Sequence, residues 1–328
     1  MTESKKPEFS CTYGPVPSRR LGFSLGVDVL PSKLCSFNCI YCQLGPTARN
    51  ITRRKEYVSA SIVISQIQEI LKTKKNIDYI TFSGSGEPTL NSKIGQLIQE
   101  IKSLTDIPVA VLTNSSLLTR KSVREALKEA DLVVPSLDAA TQDVFIKVNR
   151  PYPSFRIEKI IQGLKEFRRI FKGSLWLEVM LVKGVNDSSS HILELKKAIT
   201  EINPDKVQLN TVVRPPAEEF AQPLSLDELK WIRKALGKKC EIIADFPRKK
   251  QLHPEENLEK AIVGMIRRRP VTLADISSSL GKHKNEIIKH LDILIKEKRV
   301  RAVIHEGLTY YELEKHKTAR SRLQVSGE

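Results

Sequence analysis

A chain of 328 residues with 54 Lys and Arg against 38 Asp and Glu carries a formal charge of +16, and nowhere does it hold the roughly 18 consecutive apolar residues that a membrane-spanning helix needs. Its first ten residues, MTESKKPEFS, lack the apolar core of a signal peptide, so a cytoplasmic protein is the expectation. The length allows one large core and a second, smaller one. Five cysteines, three of them clustered, argue against a disulfide scaffold, and the positive charge suits a polyanionic partner such as nucleic acid, with plain basicity as the competing reading.

Residues 1–12 read as a flexible N-terminus. Tyr13 to Gly22 is rich in Gly, Pro and Arg and reads as a loop across the mouth of the fold. There Arg19 and Arg20 either meet a carboxylate or phosphate or stay solvated. The apolar run Leu25 to Leu30 predicts the first strand. Behind it comes Cys35-Ser36-Phe37-Asn38-Cys39-Ile40-Tyr41-Cys42, three thiols at Cys-x3-Cys-x2-Cys spacing. Thiolates are soft ligands that favour zinc or iron–sulfur clusters, and both usually want four protein ligands. This loop offers three. Cys11 and Cys240 are far off in sequence, and the nearest histidine is His191. A cubane cluster on three thiolates keeps one iron open to a small molecule. The following Arg49 to Lys55 holds four cations in seven residues and reads as a polyanion contact or a solvated loop.

Strands and helices then alternate. Strands are predicted at Tyr79 to Phe82, Val109 to Leu112, Leu132 to Leu137, Leu175 to Val182 and Val207 to Val212, with Cys240 to Ala244 as a terminal addition. Helices are predicted at Ser59 to Leu71, Ile94 to Leu104, Arg120 to Glu129, Phe155 to Phe171, His191 to Ile202 and Ser225 to Leu236. Such alternation implies an α/β fold on a parallel sheet. Six strands fall short of a closed eight-stranded barrel, and chemistry is expected at their C-terminal ends.

Those ends carry the candidate residues. Ser83-Gly84-Ser85-Gly86-Glu87 puts glycines where a backbone must approach a ligand closely. Asn114 either contacts a ligand or caps the next helix. Ser136 and Asp138, two apart, point to one side of their strand, or Asp138 caps a helix. Glu178 alternates with Met180 on a strand face, where an unpaired carboxylate is costly. Gln208 and Asn210 share a face, with Arg214 beyond them. The loop Asn149-Arg150-Pro151 has no assigned chemistry.

The domain of residues 13–245 is followed by a charged linker at 246–256. Residues 257–314 then read as three helices, with Thr272 as an N-cap and Gly281 at a turn, followed by a two-stranded wing. They resemble a winged-helix domain, whose second motif helix, here with Lys282, His283, Lys284 and Lys289, docks on nucleic acid or on protein. Residues 315–328 form a basic tail.

The cysteine loop resembles that of radical S-adenosylmethionine enzymes, Cys-x3-Cys-x-aromatic-Cys, with Tyr41 as the aromatic residue. Tyr13 to Gly22 resembles a subgroup similar to wyosine tRNA-base synthases. The resemblance implies a partial six-stranded (β/α)6 barrel with a small C-terminal winged-helix domain. It implies a [4Fe–4S] cluster held by Cys35, Cys39 and Cys42, whose open iron chelates S-adenosylmethionine. A flavodoxin- or ferredoxin-type one-electron reductant would drive its cleavage to a 5′-deoxyadenosyl radical. Ser85, Gly86 and Glu87 match the Gly-Gly-Glu element that holds the cofactor's amino group, with Ser85 departing from glycine. Ser136 and Asp138 match the ribose-contact strand, and Asn114 and Glu178 fall where the cofactor is contacted. No catalytic residue beyond these is identified. The substrate implied is tRNA or another nucleic acid, although Cys11 and Cys240 are too few for the second cluster of the wyosine synthases. Two alternatives stay open, a protein or peptide docked on the winged helix and a non-enzymatic redox-sensing regulator.

Overall fold

The computed structural model of the chain describes residues 10–18, 20–47, 50–73, 76–244 and 258–314. The expected flexible N-terminus (but for residues 10–12), the linker and the basic tail lie outside these residues, as do Arg19 and Arg49.

One eight-stranded sheet carries the main core, in the order of the chain: β1 (Thr12–Ser18), β2 (Gly22–Val27), β3 (Tyr79–Phe82), β4 (Val109–Thr113), β5 (Leu132–Pro135), β6 (Ser174–Leu181), β7 (Lys206–Thr211) and β8 (Cys240–Ile242). All neighbouring pairs are parallel except β1 with β2. Helices α1 (Ala60–Leu71), α2 (Ile94–Leu104), α3 (Lys121–Leu127), α4 (Gln142–Asn149), α5 (Ile157–Ile170), α6 (Ser189–Ile202) and α7 (Leu226–Leu236) connect the strands. The strands read as unbroken apolar runs because both faces are covered; all four residues of β5 are buried. The helices bury one stripe. In α5 it is Ile157, Ile160, Leu164 and Phe167, at the spacing of a single helical face.

Two expectations are corrected here. The sheet has eight strands: the six expected, the terminal addition expected at Cys240, which forms β8, and the unexpected antiparallel edge strand β1. Tyr13 to Gly22 is not a loop over the mouth. Most of it is β1, paired with β2. Two prolines, Pro15 and Pro17, are tolerable there because β1 is an edge strand. The turn after it folds inward, and Leu21 packs with Ala110, Leu132 and Val134. From the same turn Arg20 reaches Glu178 on β6 and Gln208 on β7. A turn beside one edge touches strands near the other, so the sheet curls around its interior.

The C-terminal residues build a separate core around Ile262, Ile276, Ile287, Leu291 and Val300. Helices α8 (Leu258–Ile266), α9 (Leu273–Leu280) and α10 (Lys284–Lys296) pack with strands β9 (Val271–Thr272), β10 (Val300–His305) and β11 (Leu308–Leu313), sheet order β10-β11-β9. The expected cap is present: Thr272 and Asp275 form a reciprocal capping box at the start of α9. This unit is tied to the main one. Tyr310 Oη donates to the Val213 carbonyl at 2.7 Å, and Arg268 donates to the Ser10 carbonyl at 3.0 Å. The Arg268 guanidinium also lies 4.1 Å over the Tyr13 ring.

Candidate functional site

The segment after β2 leaves the sheet as an irregular loop whose thiols, Cys35, Cys39 and Cys42, are half-buried. It is braced by α4 and the residues after it. The Asn38 N–H donates to the Asn149 carbonyl at 3.0 Å, Ile40 N–H to Val148 at 3.0 Å, and Tyr152 N–H returns to Ser36 at 2.9 Å. Phe37 is buried edge-on between Phe145 (5.3 Å) and Phe155 (6.0 Å). Burial pushes the Cys35 thiol up to about 12, with Glu87 adding to it, and burial likewise holds the Cys39 thiol well above its usual range. Among the described residues no three His, Cys, Asp or Glu side chains converge tightly enough to hold one metal ion. Thiolates bound to separate irons of a cluster stand further apart than ligands of one ion, so the spacing does not favour a closed zinc site.

Helix α4 had not been expected, and it supplies a residue that sequence reasoning missed. Asn149 Nδ2 donates to Cys39 Sγ at 3.4 Å and to Asp138 Oδ2 at 2.7 Å. The signal for the helix was present in Phe145 and Val148, three apart behind Thr141. Nothing in sequence ties Asn149 to a cysteine 110 positions earlier.

Asp138 was expected to face a ribose. Its carboxylate is committed elsewhere: it accepts from Tyr41 Oη, from Asn149 and from the Met180 N–H at 2.9 Å. It thereby ties the aromatic residue of the cysteine loop to β6. Burial is the main cause that pushes its carboxyl up to about 6. Ser136 is half-buried; its N–H donates to the Thr113 carbonyl at 2.9 Å, and its own carbonyl accepts from Ser115 Oγ at 2.7 Å.

The glycine-rich turn is held from below. Ser85 N–H and Oγ donate to Asp28 Oδ2 at 2.9 and 2.5 Å. Asp28, also missed, follows β2 and is buried. A Cβ on Gly84 would strike this carboxylate, and one on Gly86 would collide with the Leu34 carbonyl oxygen. That carbonyl accepts the Glu87 N–H at 3.0 Å. Gly86 is therefore demanded by the close approach of the cysteine loop. Glu87 is buried and accepts from Thr89 N–H (3.1 Å), Thr113 Oγ1 (2.7 Å) and Asn114 N–H (2.7 Å). Its carboxylate clamps the ends of β3 and β4 together.

Asn114 is held by the protein's own groups, and the N-cap of the short helix that follows is Ser115. Asn114 Oδ1 accepts from the Ser116 N–H at 3.0 Å, a local turn, while Nδ2 donates to Ser36 Oγ at 3.0 Å and lies 3.4 Å from Cys35 Sγ. Glu178 has the partner its buried charge required, a two-pronged ion pair with Arg20 at 3.0 Å on each oxygen. Asn210 adds a third donor to Glu178 at 3.0 Å, and Gln208 Nε2 donates to Glu241 at 2.8 Å. Of the cations after the cysteine loop, Arg54 is spent on the Thr89 and Asn91 carbonyls, whereas Arg53 and Lys55 are exposed. A cavity of about 250 Å³ opens beside this assembly. Gln43, Ser83 and Gly84 line it from the cysteine side, Arg20 from the interior, and Arg268 and Arg269 from the C-terminal unit.

A family model described as the radical SAM superfamily matches residues 29–195. A UPF0026 protein of Methanocaldococcus jannaschii is 31% identical over 306 residues, 91% of this chain and 94% of that one. A protein of Brachyspira hyodysenteriae named GTPase Obg is 42% identical over 302 residues, but this chain spans only 44% of it. Among solved structures, a radical SAM methyltransferase of Sphaerobacter thermophilus superposes with a TM-score of 0.52 at 18% identity. That match covers 67% of this chain and 65% of that one and shows a shared fold. No helix among the described residues is long and apolar enough to cross a membrane.

Proposed function

The chain belongs to the radical SAM superfamily, and from that premise we propose that Cys35, Cys39 and Cys42 hold its cluster and that the enzyme modifies nucleic acid. Members of the superfamily use a [4Fe–4S] cluster and S-adenosylmethionine and need an external reductant, here proposed to be a flavodoxin or ferredoxin. The donor set fits. Three thiols share one loop, and burial pushes the free thiols of Cys35 and Cys39 up, so that these two lose their protons readily only to a metal. The observation that carries the reading is the pair of amides, Asn114 and Asn149, that point N–H groups at Cys35 and Cys39. Donors to sulfur stabilise charge on thiolate ligands and tune a cluster's potential.

Held by Cys35, Cys39 and Cys42, a reduced cluster with S-adenosylmethionine would supply radical hydrogen abstraction. The chain's own residues position and shield. Ser85 and Gly86 present a backbone fixed by Asp28 and Leu34 beside the cavity. Ser136 offers a half-buried hydroxyl for a ribose. Asp138 and Glu178 act one step back, the first holding Tyr41 and Asn149, the second holding Arg20 at the cavity wall.

The nucleic-acid part rests on the charge of +16, the likeness to wyosine-type enzymes and a winged-helix reading of residues 258–314. His283, Lys284 and Lys289 are exposed on α10, the helix such domains lay on nucleic acid. Filter binding of bulk tRNA tests this. Lys284→Glu with Lys289→Glu should weaken retention and flatten its salt dependence. Retention untouched by charge reversal would leave a peptide docked on this unit as the better reading.

A further inference from the structure

A second cavity, about 780 Å³, lies where the sheet is left open. Its walls come from both edges of the sheet, Pro17 and Ser18 on β1 and Ala244 after β8, with Phe23 on β2 and Thr211 to Arg214 at the end of β7, and its roof from the C-terminal unit through Thr272, Asp275, Leu308 and Tyr310. Pro17, Ser18 and Arg269 line this cavity and also the smaller one that reaches Gln43 and Gly84. Arg269 is thus part of the wall of both spaces.

The lining is chemically specific. Phe23, Val213, Leu224, Leu229 and Tyr310 make most of it apolar. Three acids line it: Asp78 accepts the Phe23 N–H at 2.6 Å, Asp275 caps α9 and faces Arg214 at 3.7 Å, and Glu306 is exposed to solvent. Arg269 is half-buried, and among the described residues no carboxylate pairs with it. The volume falls in the range of about 300 to 1,000 Å³ typical of small-molecule sites. A largely apolar chamber with a half-buried guanidinium in its lining that no described carboxylate pairs fits a flat apolar body that carries one anionic group.

We propose that this cavity receives a single nucleotide of the substrate, its base among the apolar walls and its phosphate on Arg269. The assignment rests on the nucleic-acid reading above. Enzymes that act on a base take it out of its stack into such a pocket, aromatic side chains give the base a surface, and guanidinium matches phosphate in geometry as well as charge. Arg269 then stands between the nucleotide and the cavity beside the cysteine loop.

The test is isothermal titration of the full chain, reconstituted with iron and sulfide and saturated with S-adenosylhomocysteine. Uridine and guanosine 5′-monophosphates serve as probes, with uridine and guanosine as phosphate-free controls. At least one monophosphate should bind, and its nucleoside should bind about tenfold more weakly. Arg269→Gln should bring the monophosphate down to its nucleoside, and Val213→Trp, which fills the chamber, should abolish both, with thermal unfolding of both variants unchanged. No binding by the wild type, or binding unmoved by either variant, would overturn the assignment. Bulk tRNA retention measured in parallel separates the two readings. Retention without monophosphate binding removes the cavity assignment alone. Absence of retention by the wild type removes the nucleic-acid reading and with it the assignment of a substrate nucleotide, whatever the monophosphates do.

Discussion

Arg20 and Glu178 stand 158 positions apart in sequence and meet through two N–H to oxygen contacts of 3.0 Å inside the curled sheet. Their side chains are only 10% and 13% exposed. Removing one partner of so buried a pair leaves a stranded charge and costs about 3 kcal/mol or more. Arg20→Ala should therefore lower the urea midpoint strongly. Pairing it with Glu178→Gln should recover part of the loss, since no ionised carboxylate then lacks its partner. Equal stability of Arg20→Ala and wild type would show that the pair does not hold the turn.

Gly86→Ala places a methyl against the Leu34 carbonyl oxygen. Overpacking of this kind costs about 1–3 kcal/mol, and here the strain falls on the residue before Cys35. Iron incorporated per chain after anaerobic reconstitution should fall well below wild type, with far-ultraviolet circular dichroism unchanged.

How much of this was legible beforehand depends on range. The parallel strands were visible as apolar runs, the cysteine loop as spacing and Thr272 as a cap, because each is local. Strand β1 was hidden by Pro15 and Pro17, which suit a loop equally well and are tolerated only at an edge. Asp28, Asn149 and Arg20 were illegible as partners because Ser85, Cys39 and Glu178 reach them through the fold. Glu87 and Asp138 read from sequence as contacts to the cofactor's amino group and ribose. Their oxygens bind the protein's own donors, a distinction that only three dimensions supply.

Asn149→Leu deletes a donor to Cys39 Sγ and one to Asp138. A hydrogen bond to sulfur favours the reduced, more negative cluster. If it is worth about 1 kcal/mol more to that state, its loss lowers the midpoint by about 40 mV. Potentiometric titration followed by electron paramagnetic resonance reads this directly. An unchanged potential would mean that the amide serves only the loop.

The Asp138 carboxyl, raised from 3.8 to about 6 by burial, sets a pH dependence with a definite sign. Between these values the folded state binds a proton that the unfolded state lacks. Stability from this group therefore grows as pH falls through 6 and is lost as pH rises, a term of up to about 3 kcal/mol. Burial pushes Glu87 and Asp28 in the same direction. Thermal melts of iron-free protein from pH 7 to pH 4.5 should show a smaller gain for Asp138→Asn than for wild type.

Cys11 and Cys240 are buried away from the loop, and burial raises their thiols to about 11 and about 12. Cys11→Ala and Cys240→Ala should bind iron like wild type, whereas alanine at Cys35, Cys39 or Cys42 should not retain an intact cluster. Iron and sulfide analysis alongside the charge-transfer absorbance decides it.

The most direct measurement is of S-adenosylmethionine cleavage. Protein reconstituted anaerobically with iron and sulfide, reduced with dithionite and given S-adenosylmethionine should release 5′-deoxyadenosine, faster with bulk tRNA present, and Cys39→Ala should release none. A fully loaded cluster that yields no 5′-deoxyadenosine, even with tRNA and peptide pools added, would contradict the enzymatic account and leave a cluster that senses redox state.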